Sequence, residues 1–287
     1  MSYLNKFYEE WHDSAEDNRI EEIRDRDLMA LDFLKGVGSV VELGCGSGTI
    51  LKMFDAPVKA GVDISSKAIE IAREQVGDGV DLQVVDIDAE ELQFPSESFD
   101  GAMASEVLEH LFDPVHALAE MNRVLKKDGK ILITVPNIGY YVYRYYHLTS
   151  GEVSDFHGNG LIVNEHIRYY SSESMSKILK LTGFKIERIR GCMKEVVERK
   201  GERQSVNMKP RMNFTQILRA LRPSPINILS KVNKLFGLWE RHPSLFAVGL
   251  VVEARKIEES KYRHNSAVDH QKRSSSEEAL NVIPLNY

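Results

Sequence analysis

Short apolar runs that alternate with amphipathic stretches constrain the fold of this chain more than any other feature. The first run, 39–43, leads directly into a glycine-rich turn, and further runs of strand length follow it. Successive parallel strands need crossover connections, which helices usually supply. The order predicts a doubly wound α/β fold with a mostly parallel sheet of seven strands. The predicted strands are 39–43, 60–64, 81–87, 99–105, 130–135, 184–190 and 245–254, and the predicted helices lie within 3–35 and at 50–54, 67–76, 114–125 and 174–181.

Composition and periodicity divide the chain into three parts. Residues 1–35 are predicted to form an N-terminal helical cover, 36–256 the main domain, and 257–287 a polar, serine-rich, disordered tail. A helical insertion, 195–243, is expected before the last strand, and it carries ten Lys and Arg residues against four Glu. It is interpreted as a cap over a substrate pocket, a homodimer contact, a helical pair packed on the core, or, less favoured, a membrane-surface segment at 211–241.

Charge and cysteine content narrow the class of partner. The formal net charge of −6 provides no overall basic field for nucleic acid. The two cysteines, Cys45 and Cys192, lack metal-ligand spacing, so we interpret them as free thiols in a reducing compartment. No apolar run reaches the roughly 18 residues of a membrane span. We therefore expect a cytoplasmic protein that does not bind nucleic acid.

Three acidic or glycine-rich segments follow predicted strands, at the edge of a doubly wound sheet where ligands bind. The turn Gly44-x-Gly46-x-Gly48 allows close backbone approach, but it is one residue shorter than the dinucleotide pattern G-x-G-x-x-G. Asp63 ends the second strand, where a carboxylate can accept both hydroxyls of a ribose. The third strand ends in acids at 86 and 88, where an adenine would lie. The pattern favours a nucleoside cofactor other than a dinucleotide.

Five motifs in order resemble those of class I S-adenosylmethionine-dependent methyltransferases of the small-molecule, ubiquinone-biosynthesis type. They cover roughly 36–190, and the likeness returns at the seventh strand. Lys127 and Asp128 depart from the family's R-V-L-K-P-G-G segment. The resemblance implies a Rossmann-like fold and S-adenosylmethionine as cofactor. The matching segments are 42–48, 61–65, 99–100 with 106–111, 123–129 and 166–170.

The resemblance also implies roles for residues of the cofactor site. Glu42 would orient the turn or meet the methionine amine, and Asp63 would hold the ribose hydroxyls. Either Asp86 or Asp88 would meet the adenine; the sequence leaves that choice open. The implied cofactor-binding residues are Glu42, Gly44, Cys45, Gly46, Asp63, Ile64, Asp86, Ile87, Asp88, Ser105 and Glu106.

Three histidines are candidates for a catalytic base, which an oxygen nucleophile usually needs. His110 follows the fourth strand, His157 lies in a glycine-rich loop, and His166 opens the segment before a later helix. Packing near the cofactor, solvation and a loop-fixing hydrogen bond are the respective alternatives. A metal site of His157, His166 and an acid matches no standard ligand spacing, so no metal is predicted.

A tyrosine-rich segment follows the fifth strand, with five tyrosines among residues 140–146. Tyr140, Tyr141, Arg144 and Tyr145 are predicted to form a lid or substrate wall, and packing on the sheet is the alternative. The first functional hypothesis is methyl transfer to an oxygen of a small molecule. Transfer to carbon or nitrogen, and a non-catalytic cofactor-binding protein of the same fold, are the alternatives.

Overall fold

A computed structural model of the chain describes residues 22–150, 166–193, 196–199 and 238–262. They form a seven-stranded sheet and a separate two-stranded ribbon. The strands are β1 (Glu22–Arg24), β2 (Ser39–Leu43), β3 (Val58–Asp63), β4 (Asp81–Val84), β5 (Phe99–Ser105), β6 (Leu125–Pro136), β7 (Phe184–Cys192), β8 (Val196–Arg199) and β9 (Gly249–Lys256). The helices are α1 (Asp25–Phe33), α2 (Ser66–Val76), α3 (Pro114–Val124), α4 (Tyr141–Ser150), α5 (Ser172–Leu181), α6 (Leu238–Arg241) and α7 (Pro243–Phe246), with 3₁₀ turns at Leu51–Met53 and Leu108–His110.

The large sheet has the order β4-β3-β2-β5-β6-β9-β7. Neighbouring strands from β4 to β6 are parallel, and β9 is antiparallel to both β6 and β7. The predicted seven-stranded, mostly parallel, doubly wound sheet is therefore confirmed. The chain leaves β2 towards β3 on one side and later reaches β5 on the other, so the order reverses at β2. A crevice at the carboxyl ends of the strands opens at such a reversal.

Helices cover both faces of this sheet because each face is apolar. Ala30 and Leu34, from α1 and its end, pack on one face with Ile69 and Ala72 of α2. The other face packs against α3 and α5. Within the described residues, no helix combines the length and apolarity that crossing a bilayer requires. Cys45 and Cys192 are free and buried.

The N-terminal segment contains a strand where a helix was expected. β1 pairs antiparallel with β8, which lies in the insertion 195–243 that was also predicted to be helical. Hydrogen bonding between segments distant in sequence has overridden the helical spacing of the local apolar residues. α1 does fall within the predicted helical range 3–35. Residues 1–21 and 200–237, which hold most of the predicted cover and insertion, lie outside the described residues.

Two elements are shorter than predicted. The helix expected to open at 50–54 is a single 3₁₀ turn, because Phe54 is already extended at φ −65° and ψ 130°. The third strand ends at Val84 rather than at residue 87. The Asp86 carbonyl accepts the N–H groups of residues 89 and 90, and this turn ends the strand pairing.

The start of the last strand also differs from the prediction. The strand begins at Gly249 rather than at residue 245, because Pro243 occupies the first turn of α7. The first residues of the segment 257–287, predicted to be disordered, dock on the domain. The Tyr262 hydroxyl donates to Asp113 Oδ2 at 2.6 Å. Composition does not reveal such specific partners.

Asn137 ties the end of β6 to α7, and we expect Asn137→Ala to destabilise the protein. The buried Asn137 amide donates to the Pro243 and Ala247 carbonyls at 3.0 and 2.9 Å, and its oxygen accepts the Gly139 N–H at 2.9 Å. Leaving these groups unsatisfied should lower the free energy of unfolding by about 2 kcal/mol or more, measured by urea denaturation. Gln93→Ala removes an exposed carboxamide and is the control; equal effects of the two changes would contradict the expectation.

Candidate active site

The turn Gly44–Gly48, called the glycine turn here, lies at the carboxyl end of β2. Gly44, Gly46 and Gly48 have φ values of 68°, 51° and 77°, a region that disfavours other residues. The first two N–H groups of the turn donate to the Val62 carbonyl of β3 at 2.8 and 3.0 Å. A Cβ on Gly44 would lie 2.5 Å from Val107 Cγ2, whereas one on Gly46 would meet nothing within 4 Å. The backbone at Gly46 therefore faces open space that a ligand can fill.

The carboxylate of Asp63 closes the glycine turn onto the end of β3. Its Oδ2 accepts the Gly46 N–H at 2.8 Å, and its Oδ1 accepts the Ser65 N–H at 3.0 Å. Ser65 in turn caps α2 by accepting the Ala68 N–H. Asp63 and the neighbouring Ile64 are only partly buried. The sequence thus placed Asp63 at the correct edge, and the structure adds the contact with the glycine turn.

Glu42 is a buried acid directly beneath this turn. Glu42 is only 4% exposed. Burial, with the nearby charges of Asp27 and Asp63, raises the pKa of Glu42 well above its usual range, and a hydrogen bond from the backbone of Leu51 opposes this effect. Oε2 accepts no hydrogen bond from the described residues. A cationic group placed here would find a matching carboxylate oxygen.

The two acids after β4 have different surroundings. Asp88 accepts the N–H groups of Phe112 and Asp113 at 3.0 and 2.7 Å, so both its oxygens fix the loop before α3. Asp86 Oδ1 accepts the Asp88 N–H at 3.2 Å. Ile87 between them is buried. The structure thus gives Asp88 a scaffolding contact and leaves Asp86 at the partly exposed rim of the sheet.

The chain turns sharply after β5. Glu106 has a φ of 54°, and its N–H donates to the carbonyl of Thr134 on β6 at 3.0 Å. Thr134 Oγ1 donates to Glu106 Oε1 at 3.1 Å and lies 3.0 Å from Ser105 Oγ. These bonds hold a left-handed residue that would otherwise be unfavourable. They direct the Glu106 carboxylate towards α1.

Arg26 of α1 lies next to that carboxylate, and no sequence pattern predicted this contact. Its Nη1 lies 3.3 Å from Glu106 Oε2, and its side chain is 12% exposed. Burial lowers the pKa of Arg26, but attraction to Glu106 and Asp27 outweighs this and raises it. In the sequence Arg26 is one of several charges in the run 24–27. Only the packing of α1 across the sheet edge singles it out.

Two of the three candidate histidines meet at one buried carboxylate. Glu109, His110 and His166 form a group that we call the histidine–carboxylate cluster. His110 Nε2 and His166 Nε2 lie 4.0 and 3.9 Å from Glu109 Oε1. The imidazole rings contact each other edge to face, with centroids 4.8 Å apart. His157 lies outside the described residues.

The segment carrying His166 is pinned to the turn that carries His110. The Glu109 carbonyl accepts the Arg168 N–H at 3.1 Å, and Arg168 Nε donates to the Leu111 carbonyl at 2.8 Å. The Tyr170 hydroxyl, which is buried, donates to the Leu108 carbonyl at 3.0 Å. Of the alternating residues 166, 168 and 170, the first therefore contributes its side chain to the cluster. The side chains of the other two hold the segment in place.

The tyrosine-rich segment forms α4 and its approach. Tyr141 and Tyr143 are buried, and Tyr140 contacts both rings at centroid distances of 4.8 and 5.4 Å. Arg144 and Tyr145 are exposed. The segment thus has an inner set of rings that packs and an outer, exposed pair, and its role as a substrate wall stays a prediction.

Comparison with known proteins identifies the class. Residues 41–133 match a family model described as a methyltransferase domain. The chain is 30% identical over 172 residues to the ubiquinone/menaquinone biosynthesis C-methyltransferase UbiE of Citrifermentans bemidjiense, covering 53% of this chain and 72% of that one. It is 31% identical over 133 residues to the O-methyltransferase cnsE of Penicillium expansum, covering 43% and 48%. A Haloferax volcanii chain solved in complex with the methyltransferase activator Trm112 shares the fold, with a TM-score of 0.54 at 16% identity over 90% of this chain and 99% of that one.

The chain belongs to the class I S-adenosylmethionine-dependent methyltransferases, and it is an enzyme that uses this cofactor. The residues present at the strand ends fit the cofactor. Glu42 Oε2 offers a buried acceptor to a cationic group, and the backbone at Gly46 leaves space for a ligand. The helix N-terminus and glycine turn beside Asp63 complete a cradle of the kind that binds nucleosides.

The buried Glu42 should make stability depend on pH. A raised pKa in the fold means that its stabilising effect is complete below the ordinary value of 4.5 and is lost as pH rises through the higher folded value. The free energy of unfolding of Glu42→Gln, minus that of the wild type, should therefore grow with pH above 4.5, by at most about 1.4 kcal/mol per pH unit. Urea denaturation without cofactor between pH 5 and 8 measures it. Glu70→Gln, on the exposed face of α2, is the control, and parallel curves for wild type and Glu42→Gln would refute the assignment.

Proposed function

We propose that this enzyme transfers a methyl group to an oxygen atom of a small-molecule acceptor. The observation that carries the proposal is the histidine–carboxylate cluster, of which Glu109 and His110 lie in the turn after β5. Val107 of that turn is so close to Gly44 that a Cβ there would clash. The turn thus packs directly on the glycine turn, and the cluster borders the cofactor cradle.

We assign the cofactor's contacts from the geometry of the strand ends. Asp63 faces the ribose hydroxyls, with Ile64 beside the adenine. Asp86 meets the adenine edge together with Ile87, because both oxygens of Asp88 already serve the loop before α3. The open backbone at Gly46 supports the methionyl part, and Glu42 supports its ammonium. The further proposed contacts are Gly44, Cys45, Ser105 and Glu106.

Bound S-adenosylmethionine supplies an electrophilic methyl group, and the protein's task is to hold the acceptor in line and manage its proton. His110 and His166 are 20% and 13% exposed at their side chains, while Glu109 has no exposed surface. Either imidazole can accept the hydroxyl proton, and the buried carboxylate stabilises the imidazolium that results. The cluster is therefore suited to accept the proton of a hydroxyl group on the acceptor.

Transfer to carbon is the second candidate, and the similarity to the C-methyltransferase UbiE favours it. A carbon acceptor must also lose a proton, so the same cluster can serve.

The outer side chains of α4, Arg144 and Tyr145, together with Tyr140 and Tyr141, are proposed to line the acceptor's side. A homodimer contact, a cap or a membrane-surface role for the insertion, and a cytoplasmic location, remain predictions.

The cofactor assignment predicts that Asp63→Ala weakens binding of S-adenosylhomocysteine. The change removes the acceptor for the ribose hydroxyls and the bond that closes the glycine turn. Hydrogen bonds to charged groups contribute about 1.5–3 kcal/mol each, so the dissociation constant should rise roughly tenfold to hundredfold in isothermal titration calorimetry. Asp81→Ala, at the amino end of β4, is the matched control. Unchanged affinity in Asp63→Ala would reject this site.

Screening metabolite extracts with methyl-labelled cofactor should yield a product with the label on oxygen. With that acceptor, His110→Ala or His166→Ala should lower kcat by about 10²–10⁴ because a proton acceptor is lost, while cofactor affinity stays unchanged. The exposed His242 provides the control variant His242→Ala. NMR of the product locates the label; a methyl on carbon would establish the second candidate, and undiminished kcat in both variants would place the base elsewhere.

A further inference from the structure

The histidine–carboxylate cluster has the composition of a metal site as well as that of a base. One donor atom from each of Glu109, His110 and His166 lies within 4.8 Å of the other two. The ligands come from two segments, the 3₁₀ turn after β5 and the irregular segment before α5. Backbone and side-chain hydrogen bonds fix both segments to each other, as described above. The convergence is therefore a built feature of the fold rather than a chance meeting of mobile side chains.

The distances are close to those of a coordinated ion. Zinc binds imidazole nitrogen at about 2.0–2.1 Å and carboxylate oxygen at about 2.0–2.2 Å, so neighbouring ligand atoms in such a site are about 3.0–3.4 Å apart. The two N–O separations, 4.0 and 3.9 Å, exceed this by about 1 Å or less, and all three donor atoms lie within 4.8 Å of one another. Closing on an ion would require the two imidazoles to move inward.

The chemistry of the three ligands selects a type of ion. Two imidazoles with one carboxylate suit divalent first-row transition metals such as Zn²⁺, Co²⁺, Mn²⁺ and Fe²⁺, whereas Mg²⁺ prefers an all-oxygen shell. Three protein ligands leave positions open for oxygen ligands from outside. The partial exposure of both imidazoles gives an ion a path to the buried Glu109.

We propose that Glu109, His110 and His166 bind one divalent first-row transition-metal ion. The ion's role in catalysis rests on the proposed function. An acceptor hydroxyl at an open coordination position ionises more readily, because a bound cation lowers the pKa of an oxygen ligand. The released proton passes to solvent, which reaches the cluster beside the two imidazoles. When the metal ion is bound, the histidines act as its ligands, and a separate general base is not needed.

The direct test measures metal binding without cofactor or acceptor. Untagged, full-length protein is stripped with a chelator, dialysed, and titrated with Zn²⁺ by isothermal titration calorimetry and with Co²⁺ by visible absorption. We expect one equivalent to bind, with a Co²⁺ spectrum typical of nitrogen and oxygen ligands, and at least tenfold weaker binding of Mg²⁺. His110→Ala and His166→Ala should each weaken Zn²⁺ binding tenfold or more, because each removes one of three ligands.

Matched variants separate loss of a ligand from loss of the fold. His242→Ala removes an exposed histidine far along the chain and should bind Zn²⁺ as the wild type does. Glu109→Gln keeps the size of the buried side chain and should also weaken Zn²⁺ binding. Thermal unfolding and S-adenosylhomocysteine affinity of each variant show whether the fold survives. Equal Zn²⁺ affinity in wild type, His110→Ala and His166→Ala, or no binding by the wild type, would overturn the metal site.

Failure of this inference is distinct from failure of the proposed function. An enzyme that binds S-adenosylhomocysteine but no Zn²⁺ or Co²⁺, and whose methyl transfer resists the chelator, retains the function and uses its histidines as bases. Metal binding that persists when no oxygen acceptor can be found would leave the site standing and remove the proposed function. Chelator-sensitive transfer restored by Co²⁺ would support both.

Discussion

The bridge that Asp63 makes between the glycine turn and α2 is the contact on which the cofactor end of the molecule depends. One carboxylate accepts the N–H of Gly46 and the N–H of Ser65, so it fixes both segments that follow β2 and β3. Neutral acceptors would hold them less firmly, since hydrogen bonds to charged groups are roughly twice as strong. The open backbone at Gly46 is thereby kept in one position before any ligand arrives, which reduces the cost of binding.

Several carboxylates lie at this edge of the sheet, and the free-energy cost of burying them is offset by neighbouring groups. Glu106 occupies a left-handed position and is neutralised by Arg26, which reaches across from α1. Glu42 has Asp27 and Asp63 as neighbours instead, and its pKa is raised first by burial and then by these two negative charges. The site is therefore less stable alone than a hydrophobic edge would be. Such arrangements are characteristic of functional sites, where cationic ligands complete the electrostatics.

Sequence pattern was sufficient for the parts of the molecule that local chemistry determines. The strands at 39–43 and 99–105 and the positions of Asp63 and His110 follow from periodicity and motif spacing. It failed where distant backbone pairing decides, as for β1 with β8, and where a turn ends a strand early, as after Val84. Arg26 escaped notice because its importance arises from one tertiary contact. The proposal of Asp86 over Asp88 rests on the hydrogen bonds that Asp88 accepts from Phe112 and Asp113, which no local pattern encodes.

The contact between Gly44 and Val107 links the two halves of the candidate active site. Because a Cβ at position 44 would lie 2.5 Å from Val107 Cγ2, the glycine turn and the turn after β5 can pack only with glycine there. Leu108, buried in the same 3₁₀ turn, anchors Tyr170 through its carbonyl, and Tyr170 belongs to the segment that presents His166. The cofactor cradle, the β5 turn and the second histidine are thus one packed unit. The close approach of Val107 to Gly44 therefore fixes the position of the glycine turn relative to the turn that carries Glu109 and His110. Under the proposed function, the methyl donor and the groups proposed to accept the acceptor's proton are thereby positioned together.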